Sequence, residues 1–316
     1  MRYLIFGGSG YLGSHLTLQL IEKGHDLINF DNFSGHLANT FEPSVVTIHG
    51  DITSVTDMSK LDKYGKIDGV FHVAAKKSVT ESLNHPDLYK HVNVTGTKNV
   101  LDFCIYNKIK NVVFTSSAAV YGNGITSKIA EDSEKVPINP YGESKLLAEA
   151  ILEEYCLKYQ VSSLALRVFN IVGAKRREFY DDKGENVISI INRNLENANT
   201  FTIFGGDFDT KDGTCVRDYV NVSDVARAHI LAMAYAEKLP PGIFNTINVC
   251  SGIGTSMLEL IQMIVRNSSS NLAWTVGNKR SGDPASVIGS NDQAKRLLGW
   301  QPLVTLEQSI KESLKL

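Results

Sequence analysis

Six short apolar runs punctuate the first half of the chain, at residues 3–6, 26–30, 45–49, 69–74, 111–115 and 163–169. They are dense in Val, Ile, Leu and Phe and lack the apolar–polar alternation of a strand with one wet face. They therefore predict strands buried on both sides. Between them lie amphipathic stretches at helical spacing, such as residues 14–23 and 93–107. Strand, helix and strand in repetition predict an α/β fold: a parallel sheet with helices on both faces, joined by right-handed crossovers. After about Asn170 the rhythm changes. A charged, irregular segment (175–185) precedes a helical run at 187–195, a strand at 200–204 and a loop of Gly and Asp. A strand–helix unit at 246–265 and a helix after Pro302 complete the chain. This half predicts a smaller lobe packed over the carboxyl ends of the sheet, where such folds bind ligands.

Composition narrows the function classes. The 316 residues are enough for one large domain or two intimate ones, and 43% apolar with 21% charged residues is ordinary for a soluble chain. A net charge of −2 supplies no field for nucleic acid or an anionic membrane. Cys104, Cys156, Cys215 and Cys250 are far apart and lack CxxC spacing, which argues against a zinc site or a disulfide framework. With a first strand from Arg2 and no apolar run of membrane length, these features predict a cytoplasmic protein without bound metal.

The turn after the first strand reads Gly7-Gly8-Ser9-Gly10-Tyr11-Leu12-Gly13. Glycine suits a tight turn whose backbone must approach a pyrophosphate and whose helix must pack close to the strand. The helix amino terminus then offers free N–H groups and partial positive charge to phosphates. Asp31 ends the second strand, 18 residues after Gly13, where a carboxylate accepts from ribose hydroxyls and repels a 2′-phosphate. NAD is thus expected over NADP. Asp51, ending the third strand, is a candidate for the adenine amino group, or a strand-end turn residue. The expected division is a Rossmann domain at 1–169, with returning strand–helix segments from about 215–250, and a mainly substrate-binding lobe at 170–316.

Tyr141 and Lys145 form a YxxxK pair on one helical face, so phenol and ammonium can address one ligand. A tyrosine acting as base at neutral pH needs its pKa lowered by about 3 units, roughly 4 kcal/mol of differential stabilisation. Alone, the pair is as readily a surface coincidence. Ser117, where strand five reaches the carboxyl edge, adds a hydroxyl able to steady a substrate oxygen.

These motifs resemble those of the extended short-chain dehydrogenase/reductases, and within them the UDP-glucose 4-epimerases, over nearly the full length. The similar stretches are residues 7–15, Asp31-Asn32, Gly50-Asp51-Ile52, His72-Val73-Ala74-Ala75-Lys76-Lys77, residues 117–122, 140–145, 166–170, 203–219 and 280–284. The resemblance implies a homodimer, with the helices at 93–107 and 141–159 as candidates for its bundle, and a tightly held NAD. It implies that Tyr141 takes the proton of the sugar 4-hydroxyl, Lys145 binds the nicotinamide ribose and lowers the phenol pKa, and Ser117 steadies the oxygen. It also implies that Gly7, Gly10, Tyr11, Leu12, Gly13, Asp31, Asn32, Asp51, Ile52, Val73, Ala74, Ala75, Lys77 and Asn93 hold the cofactor. Lys77, Asn170, Asn186, Val187, Phe204, Arg217, Tyr219, Arg280 and Asp283 would hold the UDP-sugar. The two arginines suit phosphate oxygens, although either alone is as well explained by a surface ion pair.

Three departures bear on substrate. After Asn170 this chain runs Ile171-Val172-Gly173-Ala174 and then the charged Lys175-Arg176-Arg177-Glu178 where a Gly/Pro-rich loop is usual. Val168 replaces an aromatic. Val287 stands where a bulky tyrosine is frequent in enzymes restricted to plain hexoses, so an N-acetylated sugar is a second expectation. A 4,6-dehydratase needs an Asp-Glu pair after the catalytic hydroxyl, and here Ala118 and Ala119 stand there. A non-catalytic NAD sensor tends to lose the tyrosine or lysine, and this chain keeps both.

Overall fold

Strands buried on both faces need helices on both faces, and the computed structural model supplies them for five of the six runs; the run at 45–49 instead forms an edge strand exposed at Val46 and His49. The structure describes the chain apart from residues 36–43, 124–127, 177–178, 181–183, 185, 269–271, 281–282 and 315–316. The first six strands are β1 (Arg2–Phe6), β2 (Asp26–Asp31), β3 (Val46–His49), β4 (Gly69–His72), β5 (Asn111–Ser117) and β6 (Ser162–Val168). Then come β7 (Asn170–Val172), β8 (Phe201–Phe204), β9 (Val216–Asn221), β10 (Phe244–Val249), β11 (Gly254–Ser256), β12 (Trp274–Gly277) and β13 (Ser286–Val287). Seven of them make one parallel sheet in the order β3-β2-β1-β4-β5-β6-β10. This is a Rossmann-like α/β fold.

Neighbouring residues on a strand face opposite ways, and the core divides accordingly. Tyr3 and Ile5 point to one face, where helices Tyr11–Glu22 and Val222–Ala236 cover them with Leu12, Leu16, Leu20, Val225 and Met233. Leu4 and Phe6 point to the other, against Val100, Leu101 and Phe103 of helix Gly96–Tyr106 and Ala148, Leu152 and Tyr155 of helix Pro140–Tyr159. A further core joins helices Val187–Glu196 and Met257–Asn267 to Phe201, Ile203, Tyr219 and Ile310.

The sequence order reverses at β1, whose neighbours are β2 and β4, so loops leave the carboxyl edge in opposite directions and open a crevice there. The first helix starts at Tyr11, earlier than its amphipathic stretch indicates, because the glycine turn leads straight into it. The run expected to continue to Ala74 ends at His72, where Val73 and Ala74 both turn their N–H groups onto the Phe6 carbonyl. The expected unit at 246–265 is divided: β10 pairs with β6 in the main sheet, while helix Met257–Asn267 belongs to the second core. The four cysteines are free and buried. Among the described residues no helix is long and apolar enough to cross a membrane.

Candidate active site

The glycine turn packs backbone against backbone. Gly7 has φ +86°, and a Cβ there would lie 2.6 Å from the Ala74 backbone. A Cβ on Gly13 would lie 2.0 Å from the Gly7 carbonyl oxygen. Gly10 is different: around its Cβ position the nearest atom is 3.5 Å away, so space remains on that side. Gly10 also caps helix Tyr11–Glu22 without any side-chain hydrogen bond, and no acidic residue lies in the first turn. The open N–H groups and partial positive charge fit a pyrophosphate. Asp31 accepts from Ser9 N at 2.9 Å and Phe33 N at 2.8 Å, which fixes its carboxylate beside the turn. Burial pushes its pKa up, and these backbone N–H groups oppose the rise. Burial also opposes charge on Asp51, but bonds from Thr53 and Asn32 Nδ2 hold that carboxyl below its usual range. Ile52 is buried beside Gly96. The residues present fit a dinucleotide whose ribose carries free hydroxyls.

Across the crevice, Ser117 ends β5 and Tyr141 opens helix Pro140–Tyr159, and the Ser117 hydroxyl is the side-chain group that acts on the phenol. Asn139 caps the helix by accepting Gly142 N at 2.9 Å, with Pro140 in the first turn, so the tyrosine is fixed within one turn of a capped terminus. Burial raises the Tyr141 pKa and the Ser117 bond pulls it partly back. Lys145, one turn on, is 3% exposed, and its Nζ donates to the Thr115 carbonyl at 2.8 Å. Burial lowers its pKa to about 7, against the charge of Glu149. The phenol and the Ser117 hydroxyl thus meet at the carboxyl edge, with the ammonium one helical turn away, an arrangement suited to proton transfer.

Asn93 belongs to a π-helical turn, Lys90–Thr95, that runs into helix Gly96–Tyr106. Its side chain grips the loop after β4 on both sides, accepting Lys76 N at 2.8 Å and donating to Lys76 O at 3.0 Å. It also reaches Ser144 Oγ at 2.9 Å. Asn93 therefore ties the expected cofactor loop, Val73 to Lys77, to the helix of Tyr141 and Lys145. Lys77 Nζ stands 5.8 Å from the Tyr11 ring centroid. The Tyr11 hydroxyl donates to the Gly173 carbonyl, and Lys175 N donates to His15 Nε2 at 3.1 Å, so the first helix is fastened to the segment after β7.

The other expected ligand residues spread over the second set of strands. The Arg280 guanidinium lies 3.8 Å from the Phe204 ring centroid, and both are exposed. Arg217 Nη1 donates to the Val216 and Pro284 carbonyls, and its Nη2 lies 3.9 Å from Asp283. Asn170 Nδ2 donates to the Asp218 carbonyl at 3.2 Å. Asn186 caps helix Val187–Glu196 through Ser189 N, and Val187 and Tyr219 pack in the second core. Of the charged loop, Lys175 turns its ammonium onto Glu22 at 2.6 Å, toward the first helix. Arg177, Glu178 and Gly282 lie outside the described residues. Val168 is buried in the core opposite Ser117.

Spacing alone does not expose three residues beside this site. Asp218, between Arg217 and Tyr219, is fully buried and accepts from Ser251 N, Ser251 Oγ, Gly252 N and Gly289 N. Glu149 and Arg167 form a buried pair beneath Ser117. A carboxylate four residues after Lys145, on the same helical face, is the one signal that could have found Glu149.

Residues 3–250 match the NAD dependent epimerase/dehydratase family. The chain is 36% identical to a UDP-glucose 4-epimerase of Lactobacillus helveticus, over 96% of its own length and 92% of the relative's. A solved UDP-glucose 4-epimerase from Stenotrophomonas maltophila, with bound NAD and formylated UDP-arabinopyranose, superposes at TM-score 0.91 with 31% identity. That match covers 100% of this chain and 97% of the other. The UDP-glucose 4-epimerase of Thermotoga maritima with UDP-glucose superposes at 0.89 with 30% identity, covering 99% and 97%.

Proposed function

The chain belongs to the NAD-dependent epimerase/dehydratase family, and we propose that it is a UDP-glucose 4-epimerase, interconverting UDP-glucose and UDP-galactose. The observation that carries this is Ser117 acting on the Tyr141 phenol with buried Lys145 one helical turn away, on the same sheet edge as the uncapped first helix. Ala118 and Ala119 leave the two positions after Ser117 without acidic side chains, which favours epimerisation over dehydration.

Residues 7–13, Asp31, Asp51, the loop from Val73 to Lys77 and Lys145 hold the cofactor in this proposal. When bound, NAD supplies a hydride acceptor at sugar C4 that can return the hydride to either face. Tyr141 takes the proton of the 4-hydroxyl and gives it back, while Ser117 holds the oxygen through both transfers. Lys145 supplies positive charge beside the phenol, favouring its ionised form. Phe204 offers a ring face to the base, and Arg217 and Arg280 offer guanidinium groups to the diphosphate. Incubating the protein with a panel of UDP-sugars, without added NAD, tests the proposal. Epimer formation supports it, and unchanged UDP-glucose with NAD present overturns it.

Val287 favours a second substrate class. It packs against Val120, Tyr121 and Phe169, in the cluster that backs the Ser117 turn, and a valine there is smaller than a tyrosine, a difference that would admit an N-acetyl group. UDP-N-acetylglucosamine is then also epimerised. No detectable acetylated product beside active turnover of UDP-glucose would exclude this.

Helices Gly96–Tyr106 and Pro140–Tyr159 expose Tyr106, Leu147 and Leu157, at 79%, 46% and 69%. An apolar face of this kind supports a homodimer, which light scattering on the purified protein decides. Buried free cysteines suit a reducing cytoplasm.

A further inference from the structure

Two charges lie buried beneath the catalytic hydroxyls. Arg167 on β6 is 2% exposed and Glu149 on helix Pro140–Tyr159 is 4% exposed. The guanidinium donates from Nε to Oε1 at 3.0 Å and from Nη2 to Oε2 at 2.7 Å. A buried ion pair is a weak device for stability, because desolvating two ions cancels most of their attraction. Its remaining bonds point to another use. Glu149 Oε1 also accepts the hydroxyl of Ser116 at 2.5 Å, and Ser116 directly precedes Ser117. Arg167 Nη1 donates to the Tyr121 hydroxyl at 2.9 Å and to the Glu131 carbonyl at 2.9 Å. Tyr121 closes the short helical turn that starts after Ser117, and its own hydroxyl donates to Asn248 Oδ1 on β10 at 2.7 Å. The pair thus holds both ends of the turn carrying Ser117. Through Glu149 it holds the helix on which Lys145 lies one turn earlier and Tyr141 two turns earlier.

We propose that Glu149 and Arg167 are positioning residues for the epimerisation: their pair fixes the Ser117 turn against the helix of Tyr141 and Lys145. This rests on the 4-epimerase function proposed above. The groups around Lys145 agree with it. From its own helix come Tyr141 and Glu149. From β4 comes His72, held neutral by burial at a pKa of about 3. From β5 come the Phe114 ring and the Thr115 carbonyl, and from β6 comes Arg167, whose charge Glu149 meets directly. Burial works to discharge Lys145, and the charge of Glu149 opposes it.

The test compares the holoenzyme with Glu149→Leu/Arg167→Met, which replaces both charges by apolar side chains of similar bulk, and with Glu149→Gln. In the double variant kcat should fall about 10- to 100-fold, as small misplacements of reacting groups do, with KM for UDP-glucose within about twofold. Amides of residues 117–121 should exchange hydrogen faster while global unfolding stays cooperative. Glu149→Gln should move the alkaline limb of the kcat profile to lower pH, since Lys145 loses its proton sooner without the carboxylate. A folded double variant with wild-type kcat and wild-type exchange overturns the proposal. Should the double variant not fold, Ser116→Ala decides: it cuts one tie without facing the sugar, and an unchanged kcat and exchange rate would overturn the clamp. Wild-type protein that epimerises nothing would defeat the parent function, while the exchange rates still test the clamp.

Discussion

Tyr141 is a phenol that its surroundings discourage from ionising: burial raises its pKa, and only the Ser117 bond pulls it back. Lys145 is equally reluctant in its own sense, with an ammonium that burial brings down to about 7. The two shifts move the groups apart, so the phenol holds its proton more tightly than the ammonium does, and Tyr141 stays protonated until substrate and cofactor complete the site. Tyr141→Phe keeps the ring against Tyr89 and removes only the proton carrier. Epimer formation should fall about 100- to 10,000-fold with bound NAD content unchanged; conversion at the wild-type rate would exclude Tyr141 as base. At this scale the sequence is most informative. Gly7, Gly13, Asp31 and Ser117 come into view beside the ends of apolar runs and Tyr141 and Lys145 through their four-residue spacing, while the roles of the last three follow from the resemblance. Glu149 and Arg167 escape it, since strand β6 must fold beside β5 before the two can meet.

Helix Pro140–Tyr159 shows how an element turns composition into position. Its cap, Asn139, fixes the first turn, which carries Tyr141, and Lys145 stands in the next. Asn139→Ala should cost about 1 kcal/mol of stability. Its larger effect should be on kcat, because the frayed turn is the one that carries the phenol. Thermal unfolding and turnover measured together, with Asn139→Asp as the variant that keeps an acceptor, would separate the two effects; equal turnover in all three proteins would refute it. The six apolar runs are legible as strands because continuous apolar character leaves no other arrangement. Strands β7 and β11 to β13 are two to four residues long and carry no alternation, so nothing local marks them. The π-helical turn at Lys90–Thr95 is likewise invisible, because its purpose is to aim Asn93 at a loop 17 residues away.

Across the whole molecule, three buried histidines share one sign. His15, on the cofactor helix, is held to a pKa of about 4, His72 at the end of β4 to about 3, and His229 under β5 to about 4, all by burial. Their ordinary value is 6.5. Unfolded, each takes up a proton below that pH; folded, each stays neutral until about pH 4 or lower. The contribution is fully present above pH 6.5 and is lost as pH falls, at roughly 2 kcal/mol per histidine by pH 5. The urea midpoint should therefore drop between pH 7 and pH 5, and an unmoved midpoint would show that these sites open to water before the fold does. The seven-stranded sheet and its switch at β1 follow from the alternation of runs, whereas the return of β10 to the outer edge of β6 depends on pairing across 80 residues of chain, which no local pattern encodes.

That return of β10 has a consequence for anyone wishing to take the molecule apart. The chain leaves the main sheet after Val168, builds β7 to β9, comes back for β10 and leaves again for β11. No single cut separates the sheet from the strands that face it. A fragment ending near residue 169 would lack its outermost strand and leave the β6 edge bare, with Tyr121 deprived of Asn248. Such a piece invites aggregation instead of cofactor capture. Protease nicks, truncations and fusion points are tolerated only where both crossings survive, so the two halves are inherited, made and degraded as one unit.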